Sequence, residues 1–366
     1  MKKIMLVFGT RPEAVKMCPL VNELKSRTHL ETVVCVTGQH REMLDSVLNV
    51  FHVEPQYDFS VMKAEQTLFD ITEKILEHMR IVLKKESPDI VLVHGDTSTA
   101  FAAALACYYS GIPVGHVEAG LRTYCPHSPY PEEFNRQAVS AIADYHFAPT
   151  AAAAENLLRE GKPDSRIFVT GNTVVDALKS TVRPDFSHEI LDWTNGNRTI
   201  FMTAHRRESL GEPMERMFRA IRRVLREHPD IRAVYPVHKN PAVGQMAREI
   251  LSDCENLRMT EPLGVIECHN LMARSFLILT DSGGIQEEAC SLGKPVLVMR
   301  DHTERHEGVH AGILKLVGTD ENRIFEQCRT LLKDEDKYRE MTAGANAYGD
   351  GFACKRIADV LMQSTI

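Results

Sequence analysis

The chain has no basic block, no CxxC pair, no GxGxxG fingerprint and no apolar run close to the roughly 18 residues of a membrane-spanning helix. Each absence removes a class of function. The charge of -7, from 50 acidic and 43 basic residues mixed along the chain, argues against a nucleic-acid or anionic-membrane surface. Nine cysteines scattered from Cys18 to Cys354, an odd number, suit reduced thiols, so disulfides and a zinc ribbon are not expected and a cytoplasmic setting is. His116, His146, His238 and His269 stand in no HxH or HExxH spacing, and no metal is expected. Without a glycine fingerprint there is no dinucleotide cofactor held in the usual way, and no cofactor of any kind is expected.

What is present is an average globular composition, 43% apolar and 25% charged, over 366 residues. That length exceeds the size at which a single core keeps growing and favours two domains. Met1-Lys2-Lys3 followed by Ile4 to Phe8 resembles the start of a signal peptide, but the apolar run is too short, and it reads as a first strand. From there short β-branched runs alternate with amphipathic stretches, the pattern of βαβ units and a mostly parallel sheet. The alternation pauses in a polar segment between Lys179 and Arg198 and restarts at Thr199. The expectation is an α/β protein of two Rossmann-like domains facing a central cleft. The first covers residues 1–172, the second 173–351, and a helix at 352–366 packs back on the first. In such sheets ligands sit at the carboxyl ends of the strands, so residues at strand ends matter most.

Five strand ends and one helix start carry chemistry. Gly9-Thr10-Arg11-Pro12-Glu13 runs from the first strand into a helix, and Arg11 and Lys16 near a helix N-terminus make an anion site, although a surface turn with two solvated cations would look the same. Asp96 and Glu118 end the runs 90–95 and 114–117 and would project from neighbouring strand tips, as a pair for acid-base chemistry. Asp96, followed by Thr97-Ser98-Thr99, reads almost as well as a helix cap. Glu132 opens a helix, where the macrodipole alone would explain it, or joins the other two as a third carboxylate. In the second half, His205 with Arg206 and Arg207 follows one strand. Asp281-Ser282-Gly283-Gly284 follows another, a glycine turn whose backbone N–H groups suit a diphosphate.

The strings FGTRPEAVKM (8–17), VLVHGDTSTA (91–100), VGHVEAGLRT (114–123), PYPEEFNRQ (129–137), TAHRRES (203–209), VYPVH (234–238), DSGGIQEEA (281–289) and GKPVLVMRD (293–301) resemble the bacterial non-hydrolysing UDP-N-acetylglucosamine 2-epimerases over nearly the whole chain. The resemblance implies the GT-B fold and interconversion of UDP-N-acetylglucosamine with UDP-N-acetylmannosamine, a precursor for cell-surface polysaccharide. It implies elimination of UDP to a 2-acetamidoglucal followed by re-addition, and a homodimer. It places Asp96, Glu118 and Glu132 in proton transfer at C2, and Arg11, His205, Ser282, Gly283 and Gly284 on the departing UDP. Lys16 and Arg305 join the substrate contacts, Glu288 takes the ribose hydroxyls and Leu263 lines the uracil pocket.

It also implies a second, allosteric site for the substrate at Gln39, Glu42, Glu65, Gln66, Arg206 and His238. Glu42 and Glu65 are acids where relatives have Gln and Arg, and an acid beside a diphosphate repels it, so activation by substrate is expected to be weak or absent. Cys268 stands where relatives often place a uracil-pocket Phe, and Cys290, His306 and Ala347 replace prolines. Three other readings compete: a hydrolysing 2-epimerase, a retaining glycosyltransferase of the same fold, and a nucleotide-sugar-binding regulator. The last has no use for three clustered carboxylates.

Overall fold

The computed structural model describes every residue except 39, 40, 63–65, 207, 208, 304, 345, 365 and 366, and leaves the side chains of 41 and 42 aside. The chain forms two compact units, Met1–Lys179 with Gly349–Ile366, and Ser180–Tyr348.

In the first unit the strands are β1 (Lys2–Phe8), β2 (Leu30–Val36), β3 (Tyr57–Asp58), β4 (Ile90–His94), β5 (Val114–Val117), β6 (Tyr145–Ala148) and β7 (Ile167–Val169). Between them run α1 (Arg11–Lys25), α2 (Arg41–Val50), α3 (Leu68–Glu86), α4 (Ser98–Ser110), α5 (Glu132–Ile142) and α6 (Ala151–Arg159), and α7 (Thr173–Thr181) follows β7. All neighbours pair in parallel, in the order β3-β2-β1-β4-β5-β6-β7. The central strands are buried on both faces, and for that reason Ile4 to Phe8 and Ile90 to Val93 are unbroken apolar runs, each residue 0% exposed. The alanine-rich face of α4 lets that helix lie close to its neighbours α3 and α5.

The second unit has α8 (Glu189–Thr194), β8 (Thr199–Thr203), α9 (Glu212–Glu227), β9 (Arg232–Pro236), α10 (Pro241–Leu251), β10 (Leu257–Thr260), α11 (Val265–Ala273) and β11 (Leu277–Thr280). It continues with α12 (Gly283–Ser291), β12 (Val296–Val298), α13 (His306–His310), β13 (Leu314–Leu316), α14 (Glu321–Lys333) and α15 (Glu335–Thr342). Its sheet is again parallel, in the order β10-β9-β8-β11-β12-β13. Two doubly wound sheets give the α/β, two-Rossmann architecture expected.

The expected boundaries need adjustment. The polar segment 179–198 contains α8, and α7 belongs to the first unit as far as Lys179, not to the second from residue 173. The physical reason is that Asp176 of α7 accepts the backbone N–H of Ala353 and Cys354 at 3.1 and 3.0 Å, capping the last helix, α16 (Ala353–Gln363). At its other end Lys2 donates to the carbonyls of Leu361 and Ser364 at 2.7 and 2.6 Å. Both termini of α16 are thus satisfied by the first unit. Among the described residues no helix is long and apolar enough to cross a membrane.

Candidate active site

Both sheets reverse direction of winding at one place, between β1 and β4 in the first and between β8 and β11 in the second. At such a switch point the loops leaving adjacent strands diverge and open a crevice, where ligands of this architecture bind.

In the first unit the loop after β1 is pinned from inside. Glu13 accepts N–H bonds from Gly9 and Thr10 at 3.0 and 2.8 Å and the Thr97 hydroxyl at 2.8 Å. Burial pushes its carboxyl above the ordinary value, against those hydrogen bonds. Gly9 is required by space, because a Cβ there would lie 1.9 Å from Thr37 Oγ1. Arg11 and Pro12 begin α1, Arg11 half-buried.

Thr97, not Asp96, caps α4: its hydroxyl accepts from Ala100 N at 3.1 Å. Asp96 is thereby free of the cap role and pairs with Arg136 of α5, while Asn135 holds the Asp96 carbonyl at 2.9 Å. Glu118 leaves the tip of β5 with φ +64°, a left-handed conformation uncommon outside glycine and a form of local strain often found at functional sites. Its carboxylate is paired with Lys16, with the side chains only 8% and 7% exposed. Asn172 donates to it at 3.1 Å and His94 Nε2 lies 3.7 Å away. Lys16, expected beside Arg11 as an anion ligand, is in the structure the counter-charge of Glu118.

Glu132 is the first residue of α5, one turn before Arg136. Its neighbour Glu133 is fully buried and accepts N–H bonds from Thr123 and Tyr124 at 3.0 Å each, with Gln137 at 2.8 Å and Arg136 at 3.2 Å. Glu132 is the opposite case: its Oε2 is buried and accepts no hydrogen bond. A buried carboxylate oxygen without a donor is costly unless a guest supplies one or the group carries a proton. Asp96, Glu118 and Glu132 therefore lie around the ends of β4 and β5 and the start of α5.

In the second unit His205 and Arg206 follow β8, and Asp281 follows β11, strands that pair with Thr203 opposite Thr280. Asp281 is fully buried and its Oδ2 accepts the N–H of His205 and Arg206 at 2.8 and 2.9 Å, while its Oδ1 lies 3.1 Å from His205 Nδ1 without an aligned hydrogen bond. Arg206 Nε donates to the Asp281 carbonyl at 3.3 Å, and the His238 ring stacks on His205 with centroids 5.4 Å apart. Ser282 is the N-cap residue of α12, but its side chain makes no cap bond and no acid stands in the first turn. A Cβ on Gly284 would meet nothing within 4 Å. The first turn of α12 thus offers N–H groups and a positive dipole end that no side chain of its own covers, which suits a phosphate.

The remaining expected residues are more dispersed. Glu288 lies 3.5 Å from His269 Nε2, whose Nδ1 contacts the Thr181 hydroxyl at 2.7 Å. Arg305 is buried on Glu287 at 2.6 Å. Leu263 and Cys268 are half-buried just before and within α11. Gln66 donates to the Val61 carbonyl at 2.7 Å. Gln39 and Glu65 lie outside the described residues, as does the side chain of Glu42.

Reading the sequence missed Asp281 and Arg136, although both stand in the strings quoted. For Asp281 the signal existed, since an acid ending an apolar strand was the ground for choosing Asp96. Arg136 had no such mark, being 40 residues from its partner. The sequence also contains one HExxH string, His306-Glu307-Gly308-Val309-His310, which lies on the five-residue helix α13 with both histidines exposed. Among the described residues no group of three His, Cys, Asp or Glu is placed to hold a metal ion.

A family model for UDP-N-acetylglucosamine 2-epimerase matches residues 22–362. The UDP-N-acetylglucosamine 2-epimerase of Bacillus subtilis is 56% identical over 360 residues, covering 98% of this chain and 95% of its own. The structure of S. aureus MnaA with UDP superposes with a TM-score of 0.93 at 52% identity, covering 99% and 96% of the two chains. The Neisseria meningitidis UDP-GlcNAc 2-epimerase bound to UDP-GlcNAc gives 0.93 at 44% identity, covering 99% and 100%. With the family model spanning most of the chain and relatives of this identity aligned from end to end, the chain belongs to the UDP-N-acetylglucosamine 2-epimerase family of enzymes.

Proposed function

We propose that the protein interconverts UDP-N-acetylglucosamine and UDP-N-acetylmannosamine without hydrolysis, by elimination of UDP and re-addition. The C2 hydrogen of the sugar is not next to a carbonyl, so removing it alone would leave a carbanion with no enolate to stabilise it. Breaking the C1–O bond as the proton leaves C2 gives a neutral 2-acetamidoglucal and sends the electron pair out with UDP. Re-addition of UDP at C1, with a proton delivered to the opposite face of C2, completes the inversion. Proton and leaving group are both recovered, and no redox cofactor is called for.

The single observation carrying this reading is the trio Asp96, Glu118 and Glu132, with Glu132 Oε2 buried and lacking a donor. In the reading these carboxylates exchange protons at C2, with Lys16 paired to Glu118 and Arg136 to Asp96. Arg11, Lys16, His205, Ser282, Gly283, Gly284, Glu288, Arg305 and Leu263 make up the substrate contacts, Lys16 through Glu118. The diphosphate charge that develops on leaving is met by His205 and the first turn of α12, and each preorganised donor of this kind contributes roughly 10²- to 10³-fold in rate. The homodimer, the cytoplasmic setting and a weak or absent activation by substrate are parts of the same proposal.

The test is incubation of UDP-N-acetylglucosamine with the enzyme in D₂O, followed by NMR. The expected result is equilibration with UDP-N-acetylmannosamine, deuterium at C2 and no net free amino sugar. Free N-acetylmannosamine released in step with UDP would select the hydrolysing alternative.

A further inference from the structure

We propose that Asp281 is a positioning residue for His205, fixing which ring nitrogen bears the proton and turning Nε2 toward the substrate diphosphate. The inference rests on the functional reading above only for what Nε2 meets; the geometry of the pair stands without it.

Three contacts converge on one carboxylate. Oδ2 accepts the backbone N–H of both His205 and Arg206, and Oδ1 lies 3.1 Å from His205 Nδ1. The backbone bonds fix the loop leaving β8 to the tip of β11, and the third contact, an ion-pair distance, sets the carboxylate charge against Nδ1 of the ring. Thr280, one residue earlier, ties the same two strands through its hydroxyl, 2.6 Å from that of Thr203, and accepts Ser282 N at 2.9 Å. Burial pushes the Asp281 carboxyl upward, but the His205 ring and the two backbone N–H groups outweigh it and hold the group below the ordinary carboxylate value.

Oδ1 makes no aligned hydrogen bond, but at 3.1 Å an unprotonated Nδ1 would turn its lone pair on the carboxylate oxygen, and that repulsion favours the proton on Nδ1. Nε2 is then the nitrogen left for a guest, on a side chain 34% exposed and stacked against His238. When Nε2 meets a phosphate oxygen it does so as a donor, with the Asp281 charge balancing the imidazolium from behind. This is the orienting role a buried carboxylate plays for a histidine in hydrolytic triads, applied here to a leaving group instead of a nucleophile. Asp281 does not itself touch the substrate in this account.

Two measurements decide it. In the full-length wild-type enzyme labelled with ¹⁵N-histidine, His205, assigned by loss of its signals in His205→Gln, should show a protonated Nδ1 at every pH at which the protein is folded. A neutral ring with its proton on Nε2 would overturn the proposal, whether or not any variant folds. In Asp281→Asn the amide N–H faces Nδ1 and the proton should move to Nε2. Nε2 then donates from a neutral ring without the imidazolium charge, and turnover should fall roughly 10²-fold, within the span of lost acid-base positioning, with KM changed less than threefold, and Asp281→Glu should recover part of kcat. Unchanged kcat in a folded Asp281→Asn would overturn the proposal. If wild-type enzyme fails to interconvert the two UDP-sugars at all, the functional reading falls while the ¹⁵N result still decides the pair.

Discussion

In the first unit each of two carboxylates at the neighbouring ends of β4 and β5, beside the switch point, arrives with its own cation, Lys16 on Glu118 and Arg136 on Asp96. In the second the switch point holds the reverse arrangement, a buried carboxylate, Asp281, that serves a histidine, beside a helix N-terminus left bare of side-chain caps. One winding pattern therefore supplies the place but not the charge. The first unit can hold negative groups close together because each is neutralised, and proton exchange among them need not overcome full repulsion. The second presents an uncovered positive end, suited to an anion and poor at moving protons.

The largest expected break in that comparison is at Glu132. Glu132→Gln should lower kcat roughly 10²- to 10⁴-fold, the span of general acid-base catalysis. UDP affinity by calorimetry and the urea midpoint should hardly move, because Oε2 accepts no hydrogen bond that the amide would lose. Glu133→Gln one residue on should do the opposite. That side chain accepts two backbone N–H groups and the buried Arg136, so the first unit should lose about 3 kcal/mol in urea unfolding, as when one partner of a buried pair is removed. A Glu132→Gln enzyme with full turnover would remove the trio from the mechanism.

The difference between these adjacent glutamates was beyond sequence reading, and its cause is specific. Strands were legible because parallel sheets bury both faces and leave apolar runs, and the tips of those runs pointed to Asp96 and Glu118. Which acid is a cap and which is left over depends on the backbone: Thr97 took the cap of α4 that Asp96 could have filled. Counter-charges were hidden by distance, Lys16 and Glu118 being 102 residues apart. The two-residue β3 and six-residue α8 were missed because elements so short carry no periodicity of their own and form only where tertiary packing holds them.

A second break concerns pH. Burial holds the His116 ring neutral, its pKa lowered to about 3, and that of His146 to about 4, on strands paired side by side in the first sheet. Unfolded histidine titrates near ~6.5. Above that pH both states are neutral and these residues add no pH dependence. Below it the unfolded chain takes up protons that the folded unit refuses, so stability falls as pH falls, by up to roughly 1.4 kcal/mol per pH unit for each ring, until the folded values are reached. Amide exchange in β5 and β6 should report this loss between pH 6.5 and 5. Fluorescence of Trp193, the single tryptophan and a residue of the second unit, should shift less over the same range. His116→Asn should flatten the dependence of the first unit; an unchanged slope would mean the ring is not held neutral.

The smallest effect tests the bare helix end. A Cβ on Gly284 enters open space, and the residue sits in the first turn of α12. Alanine there should therefore keep or slightly raise stability, by about 0.5–1 kcal/mol, since glycine in a helix is the more flexible residue in the unfolded chain. The same methyl group would stand where a phosphate approaches the N–H groups, and UDP affinity should fall on the order of tenfold, about 1.4 kcal/mol. Stability and affinity moving in opposite directions is the signature of a surface kept open for an anion, because a turn shaped only by packing would lose or gain both together. Calorimetric titration with UDP beside a thermal melt of Gly284→Ala separates the two, and an unaltered UDP affinity would move the diphosphate away from the first turn of α12.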